Sequence, residues 1–296
     1  MRVSMGILGI FAAVIVVGCL LGPAIHLALC SFLGSVGAPL PFDRVLSRVF
    51  MALALLFLFL GRRRLCLRES LRQCLIWSPR AFFLSRTGFM LGVTSFFLLM
   101  LGANFCGALQ FHPLELSPPE VFGKFASALA TGLVVGCVEE IFFRGFVLQG
   151  LMQEMKTPWA LLASSGFYAL LHYFKTTDHV CLDHWQWQAG FSTALKFLEP
   201  FRHTTTMIPG MIGLTLVGMV LGIAYLRTGS LYLSIGLHAG WVFLIKFQGV
   251  FSVHDRAASR LWFGDNRLVT GAASWVMLVL VGWIVERWGK RLKDPS

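Results

Sequence analysis

Apolar residues along this chain come in long blocks, not in the alternation of half-buried strands. Stretches long enough for a helix of about 20 residues, the length that crosses the hydrocarbon of a bilayer, fall near residues 4–25, 44–60, 89–109, 121–150, 158–174, 211–226, 230–250 and 268–286. The pattern predicts an all-α polytopic membrane protein with about eight transmembrane helices. Between the second and third stretches, Gly61 to Gly88 carries Arg62, Arg63, Arg64, Arg68, Arg72, Arg80 and Arg86 against a single Glu69. Short basic connections stay on the cytoplasmic side, so this loop is expected there, against anionic lipid, where it has the composition of a short basic amphipathic helix. The tail, with Arg287, Lys290, Arg291 and Lys293, is expected on the same side. An even number of spans then puts both termini in the cytoplasm. The long connection 175–209 faces the other way, and its Trp185, Trp187 and Phe191 are expected at the membrane interface, where amphipathic rings are favoured.

Composition agrees with this pattern. Of 296 residues, 56% are hydrophobic and 13% charged, about half the charge fraction of a soluble domain. The net charge of +11 reads as cytoplasmic loop arginines, not as a nucleic-acid surface. Seven cysteines, at 19, 30, 66, 74, 106, 137 and 181, are scattered without a C-x-x-C pair. They read as small apolar residues, neither a disulfide framework nor a zinc cage. The opening apolar stretch reaches to about Cys30 without a convincing small-residue cleavage site, so it is expected to be a retained first span. No internal repeat or low-complexity tract is visible.

Against this background, a few polar residues lie where they are costly. The run from Phe122 to Met152 is broken by charge only at Lys124, Glu139, Glu140 and Arg144, the last three within GCVEEIFFRGF. A charge at the centre of a membrane helix costs roughly 2.5–3.5 kcal/mol on insertion scales. The next stretch carries His172 in SSGFYALLHYF, and the seventh carries His238 in GSLYLSIGLHAGWVF. At about 1.5 Å of rise per residue, Glu139 is roughly 16 Å from Gly150, His172 about 21 Å from Pro158 and His238 about 12 Å from Ser230, all inside a hydrocarbon layer about 30 Å thick. Matched groups at matched depth point to one shared polar cavity. Glu140 and Arg144, four apart, share a helix face and are expected to pair. Glu139 points about 100° away and has no cation on its own helix, which suits a carboxylate that takes and returns a proton. A histidine from another helix would share a water with it. Gly132, Gly136, Gly145, Ser164, Ser165, Gly166, Gly236 and Gly240 would let the helices approach closely.

These residues resemble the motifs of the CPBP family, the CAAX proteases and bacteriocin-processing enzymes also called the Abi family. That family carries E-E-x-x-x-R, F-x-x-x-H and H-x-x-x-N/D on successive helices. Here stand Glu139-Glu140-x-x-x-Arg144, then Tyr168 four residues before His172, then His238 with Val242 at the fourth place after it. The resemblance covers roughly residues 121–250 and implies a four-helix catalytic core within 111–250, preceded by N-terminal helices over 1–110 and followed by a final helix and basic tail over 251–296. It implies an intramembrane endopeptidase of the glutamate type, hydrolysing a peptide bond of a membrane-associated protein or leader peptide. Glu139 and His172 would activate the water, Glu140 and Arg144 would hold and tune the site, and His238 would polarise the scissile carbonyl. Two departures matter. Tyr168 replaces a phenylalanine, and Val242 replaces an amide or acid thought to help bind the oxyanion. Loss of one such donor typically costs about 10²–10³ in rate, so Trp241 or a backbone N–H would have to substitute.

No cofactor is expected. A divalent metal such as zinc is the alternative, with Glu139, His172 and His238 as ligands, although H-E-x-x-H is missing. The implied partners are a membrane-embedded or membrane-associated peptide substrate and the lipid bilayer, with no nucleic acid. The expected location is a bacterial inner membrane. Two rivals are a catalytically silent scaffold that holds a membrane peptide, favoured by Val242, and a proton-coupled transporter. The second is weakened by polar groups gathered at one depth and by the lack of an inverted repeat. His179, Asp183, His184 and His203 read as solvated loop polarity before a metal site. Glu154 and Lys156 read as a polar turn.

Overall fold

A computed structural model describes residues 3–33, 41–63, 72, 74–113, 115–176, 180, 182, 184–202, 204–255, 260–264 and 269–293. In chain order the elements are α1 (Val3–Leu33), α2 (Phe42–Gly61), α3 (Pro79–Phe105), β1 (Leu109–Phe111), α4 (Pro118–Glu140), a π-helical segment (Ile141–Leu148), α5 (Gln149–Met152), α6 (Thr157–Tyr173), α7 (Gln188–Lys196), α8 (Thr204–Thr228), α9 (Tyr232–Phe247), β2 (Ser252–His254), α10 (Arg260–Phe263) and α11 (Ala272–Lys293). Among the described residues, seven helices are long and apolar enough to cross a membrane. The chain is an all-α polytopic membrane protein. The expected span 158–174 is also a helix, α6, but has only 17 residues. The expected third span starts ten residues earlier than its apolar run, because Ser78 caps it: the Ser78 hydroxyl accepts from the Ala81 amide and Pro79 occupies the first turn. Arg80 and Arg86 therefore belong to α3, whereas Arg64, Arg68 and Glu69 of the basic connection lie outside the described residues.

The helices fall into two compact units, one formed by Met1–Arg68 with Leu170–Ile208, the other by Glu69–Ala169 with Pro209–Ser296. The boundary passes through α6, so Tyr168 belongs to the second unit and His172 to the first.

In the first unit α1 packs on α2 and α7. Phe42, Leu46, Ala189 and Phe197 form a buried core, and Gly190 sits against the backbone of Cys19, where a side chain would collide. The start of α2 is fixed by Val180, whose carbonyl accepts from the Phe42 amide at 2.7 Å and whose amide donates to Asp43 at 3.2 Å. Trp185 and Trp187 are exposed, and Trp187 packs edge-on against Phe191 at the start of α7.

The second unit is organised by α9, the most buried of the candidate spans. It lies between α3 and α4, and each contact is made by glycines four apart. A Cβ on Gly92 would stand 2.5 Å from the Leu237 carbonyl, and one on Gly240 would stand 2.5 Å from that of Phe89. Gly88 and Gly236 are closed in the same way by Leu233 and Ser85. Across the other contact, a Cβ on Gly132 would meet the Ala239 carbonyl at 2.6 Å, and one on Gly136 that of Ile235 at 3.0 Å. Lipid offers no hydrophobic drive for helices to associate, so close backbone approach through small residues supplies the packing energy instead. A short antiparallel ladder, Leu109 to Phe111 against Ser252 to His254, ties the end of α3 to the segment after α9.

Gly92→Val therefore has to push α3 away from α9, with an expected loss of about 1–3 kcal/mol or more. Gly166→Val, where a Cβ meets nothing within 4 Å, is the control. Thermal unfolding in detergent should separate the two variants clearly.

Candidate active site

The glycine contacts set where the polar residues meet. Glu139 and Glu140 end α4, and His238 lies on α9 between the close-packed Gly236 and Gly240 in sequence. Directly after the two glutamates the helix widens into the π-helical segment Ile141–Leu148, which carries Arg144 and is buried over Phe142–Leu148. Such segments are rare in helices and concentrate at functional sites.

Glu140 is completely buried and Arg144 is 2% exposed. The Arg144 Nη1 donates to Glu140 Oε1 at 2.8 Å, as the four-residue spacing predicts. Its Nη2 donates to the carbonyl of Gly218 on α8, also at 2.8 Å. Gly218 also packs closely on α6, where a Cβ would stand 2.8 Å from the Ser165 side chain. One guanidinium thus joins the π-helical segment, its own preceding turn and α8. Its charge also lies 5.2 Å from the centre of the Tyr168 ring.

His238 completes the cluster. Its Nδ1 is 2.9 Å from Glu140 Oε1, and its Nε2 is 3.8 Å from Glu139 Oε2. A carboxylate oxygen accepts, so Nδ1 is the donor, and in the neutral ring Nε2 keeps its lone pair toward Glu139. Glu139 is the less enclosed carboxylate, with 16% of its side chain exposed against none for Glu140. The two adjacent glutamates therefore differ in setting. One anchors an arginine and a histidine; the other faces the free nitrogen of that histidine.

Tyr168 closes the cluster from α6. It is buried, its ring is 6.2 Å from that of His238 and nearly perpendicular to it, and Phe143 packs edge-on at 4.9 Å. The sequence marked this tyrosine only as a departure from a motif; a hydroxyl inside an otherwise apolar run was the signal. His172, one turn further along α6, is half-buried and lies in the other compact unit. Trp241, expected as a substitute donor, is committed elsewhere, its indole N–H donating to Ser95 Oγ at 3.0 Å. Val242 is partly buried on α9.

Among the described residues, no group of three His, Cys, Asp or Glu side chains is placed to hold a metal ion. Of the three ligands considered for zinc, only Glu139 and His238 face each other within one unit. Of the polar residues in the 175–209 connection, His179, Asp183 and His203 lie outside the described residues, and His184 pairs with Gln186 at 2.7 Å. Glu154 and Lys156 fall in the turn between α5 and α6. The described cysteines, at 19, 30, 74, 106 and 137, are free thiols. Beyond the cluster, Gln149 donates to Tyr225 Oη at 2.8 Å and faces Cys74 Sγ at 3.7 Å. Burial pushes the Cys74 thiol up to about 11, so it stays protonated at neutral pH.

Helices that span a membrane and bury a carboxylate–imidazole–guanidinium cluster define an integral membrane protein with a polar site inside its helices. Residues 121–244 match the family model described as type II CAAX prenyl endopeptidase Rce1-like. The match bears out the resemblance to the CAAX protease family and contains Glu139, Glu140, Arg144, Tyr168, His172, His238 and Val242. No curated protein and no solved structure matches the chain.

The geometry separates the two glutamates by experiment. Glu140→Ala leaves Arg144 buried without its partner, and breaking a buried pair in this way costs about 3–5 kcal/mol. Glu139→Gln keeps volume and breaks no arginine pair, so its melting temperature should stay near wild type. Differential scanning fluorimetry in detergent measures both.

Proposed function

We propose that the chain is an intramembrane endopeptidase of the glutamate type, acting on a peptide bond of a membrane-associated protein or leader peptide. The observation that carries this reading is the approach of Glu139 Oε2 and His238 Nε2 to 3.8 Å. Two acceptors at that separation are too far apart to bond directly, but suited to hold both protons of one water between them. A water so held presents its oxygen lone pairs to a carbonyl. Glu139 takes the proton as the water attacks and returns it to the leaving amine. His238 is kept in the required tautomer by Glu140, and Glu140 is kept in place by Arg144.

This assignment gives His238 a part in holding the water. His172, to which the resemblance also gives that part, stays in the proposal on the resemblance alone. Glu139 and His238 hold the water as acceptors, and the proposed step is routed through no metal. Both termini are placed in the cytoplasm and the protein in a bacterial inner membrane, on the strength of the basic connection and tail. That placement requires α6 to cross the membrane as an eighth span.

A library of membrane-protein-derived peptides incubated with purified protein in detergent tests the reading. Wild type should give defined products, Glu139→Gln and His238→Ala none, and a chelator should leave the products unchanged. Stable wild-type protein without any product would favour the silent scaffold. Loss of product with chelator alone would restore the metal.

A further inference from the structure

The unit that does not contain the glutamates holds a cavity of about 250 Å³, lined by Asp43, Arg44, Ser47, Lys175, Thr176 and Phe197. Three stretches of chain converge on it: the first two turns of α2, the residues just beyond α6, and the end of α7. Phe197 is buried and gives an apolar wall, packed edge-on against Phe50 at 6.3 Å. Asp43 is also buried, and the Val180 amide donates to it at 3.2 Å. Ser47 Oγ donates to the Arg44 carbonyl at 2.9 Å, so its oxygen is left to accept. One carboxylate against two cations leaves the lining one positive charge in excess. Pro41 gives the first turn of α2 no side-chain cap, so the partial positive charge of that helix end adds to the same field.

The cavity also has a defined depth. α2 runs from it to Arg62, where the basic connection begins, and is long and apolar enough to cross a membrane. Cavity and connection therefore lie at opposite ends of one span. α7, which leads into Phe197, follows the exposed Trp185 and Trp187, rings favoured at headgroup level. The volume is several times the roughly 30 Å³ of a water and below the roughly 300–1,000 Å³ of sites for drug-sized ligands, which suits a headgroup.

We propose that this cavity binds a phosphate diester, the headgroup of an anionic phospholipid in the leaflet opposite the basic connection. Arg44 and Lys175 hold the phosphate oxygens, a guanidinium fork beside a point charge. Ser47 accepts from a headgroup hydroxyl. Asp43 opposes a second negative charge, which favours a diester over a phosphate dianion.

The proposal is independent of whether the chain cleaves peptides, and its test reads binding alone. Delipidated full-length protein in detergent is titrated with short-chain phosphatidylglycerol, short-chain phosphatidylcholine or inorganic phosphate, and the melting temperature is followed. Phosphatidylglycerol should raise it saturably, and more than the other two. Arg44→Ala and Lys175→Ala remove exposed side chains, so both should melt near wild type without lipid. Each should weaken the phosphatidylglycerol effect about 10- to 100-fold in concentration. Arg48→Ala, exposed on the same helix but outside the lining, should leave it unchanged. Equal shifts with phosphatidylcholine, or a shift that Arg44→Ala does not weaken or that Arg48→Ala weakens as much, would overturn the proposal. A shift reproduced by inorganic phosphate alone would overturn the lipid as occupant and assign the cavity to a soluble phosphate.

Discussion

The structure of the second unit depends on one buried guanidinium. Arg144 sits in a membrane helix without access to water, and desolvation of such a charge is tolerable only when its donors are occupied. Glu140 and the Gly218 carbonyl occupy them. That demand has geometric consequences on both sides. Glu140 must stay on the face of Arg144, which leaves its neighbour Glu139 turned away and partly accessible. Gly218 must present its carbonyl, and its missing side chain also lets α8 lie close against Ser165. The second acid of the adjacent pair is thus the one that fixes the other's setting.

His238 is positioned by a different force. Its helix meets α3 through Gly236 and Gly240 and meets Gly132 and Gly136 of α4, so backbone lies on backbone and there is little slack in rotation or register. The ring nitrogens then fall between the two carboxylates. Dispersion through small residues fixes the helix, and electrostatics selects the tautomer. Neither would suffice alone: packing does not distinguish Nδ1 from Nε2, and charge attraction at this range would tolerate several rotamers.

The legible part of the sequence was what charge and hydropathy express locally. Apolar blocks marked the helices, and the Glu140–Arg144 spacing predicted their pair. The GCVEEIFFRGF motif pointed to a site because three charges in lipid require an explanation. Gly132, Gly136, Gly236 and Gly240 stand out as small residues within apolar runs, whereas Gly88, which meets α9 at Leu233 and Gly236, sits at the edge of the arginine-rich connection, where local charge hides its helix. The capping serine at position 78 outweighed the arginines that follow it. The π-helical segment leaves no trace in the sequence, because the four-residue spacing of Glu140 and Arg144 satisfies both α and π geometry. That Trp241 would be bound to Ser95 depended on a contact 146 residues away, which no local pattern records.

The span that carries the glutamates is unusually long. Pro118 to Met152 is 35 residues, which at about 1.5 Å per residue is roughly 50 Å of helix for about 30 Å of hydrocarbon. Even a tilt of about 40° absorbs only part of that excess, so the remainder must stand in the headgroup layer or thicken the bilayer around it. Glu139 lies nearer the Met152 end than the Pro118 end. Where the Met152 end stands in the headgroup layer, the carboxylate comes nearer to water than the midplane, and a peptide bond has less far to travel to meet it. Bilayer thickness thereby becomes a variable of the chemistry, set by the host membrane and not by the protein alone.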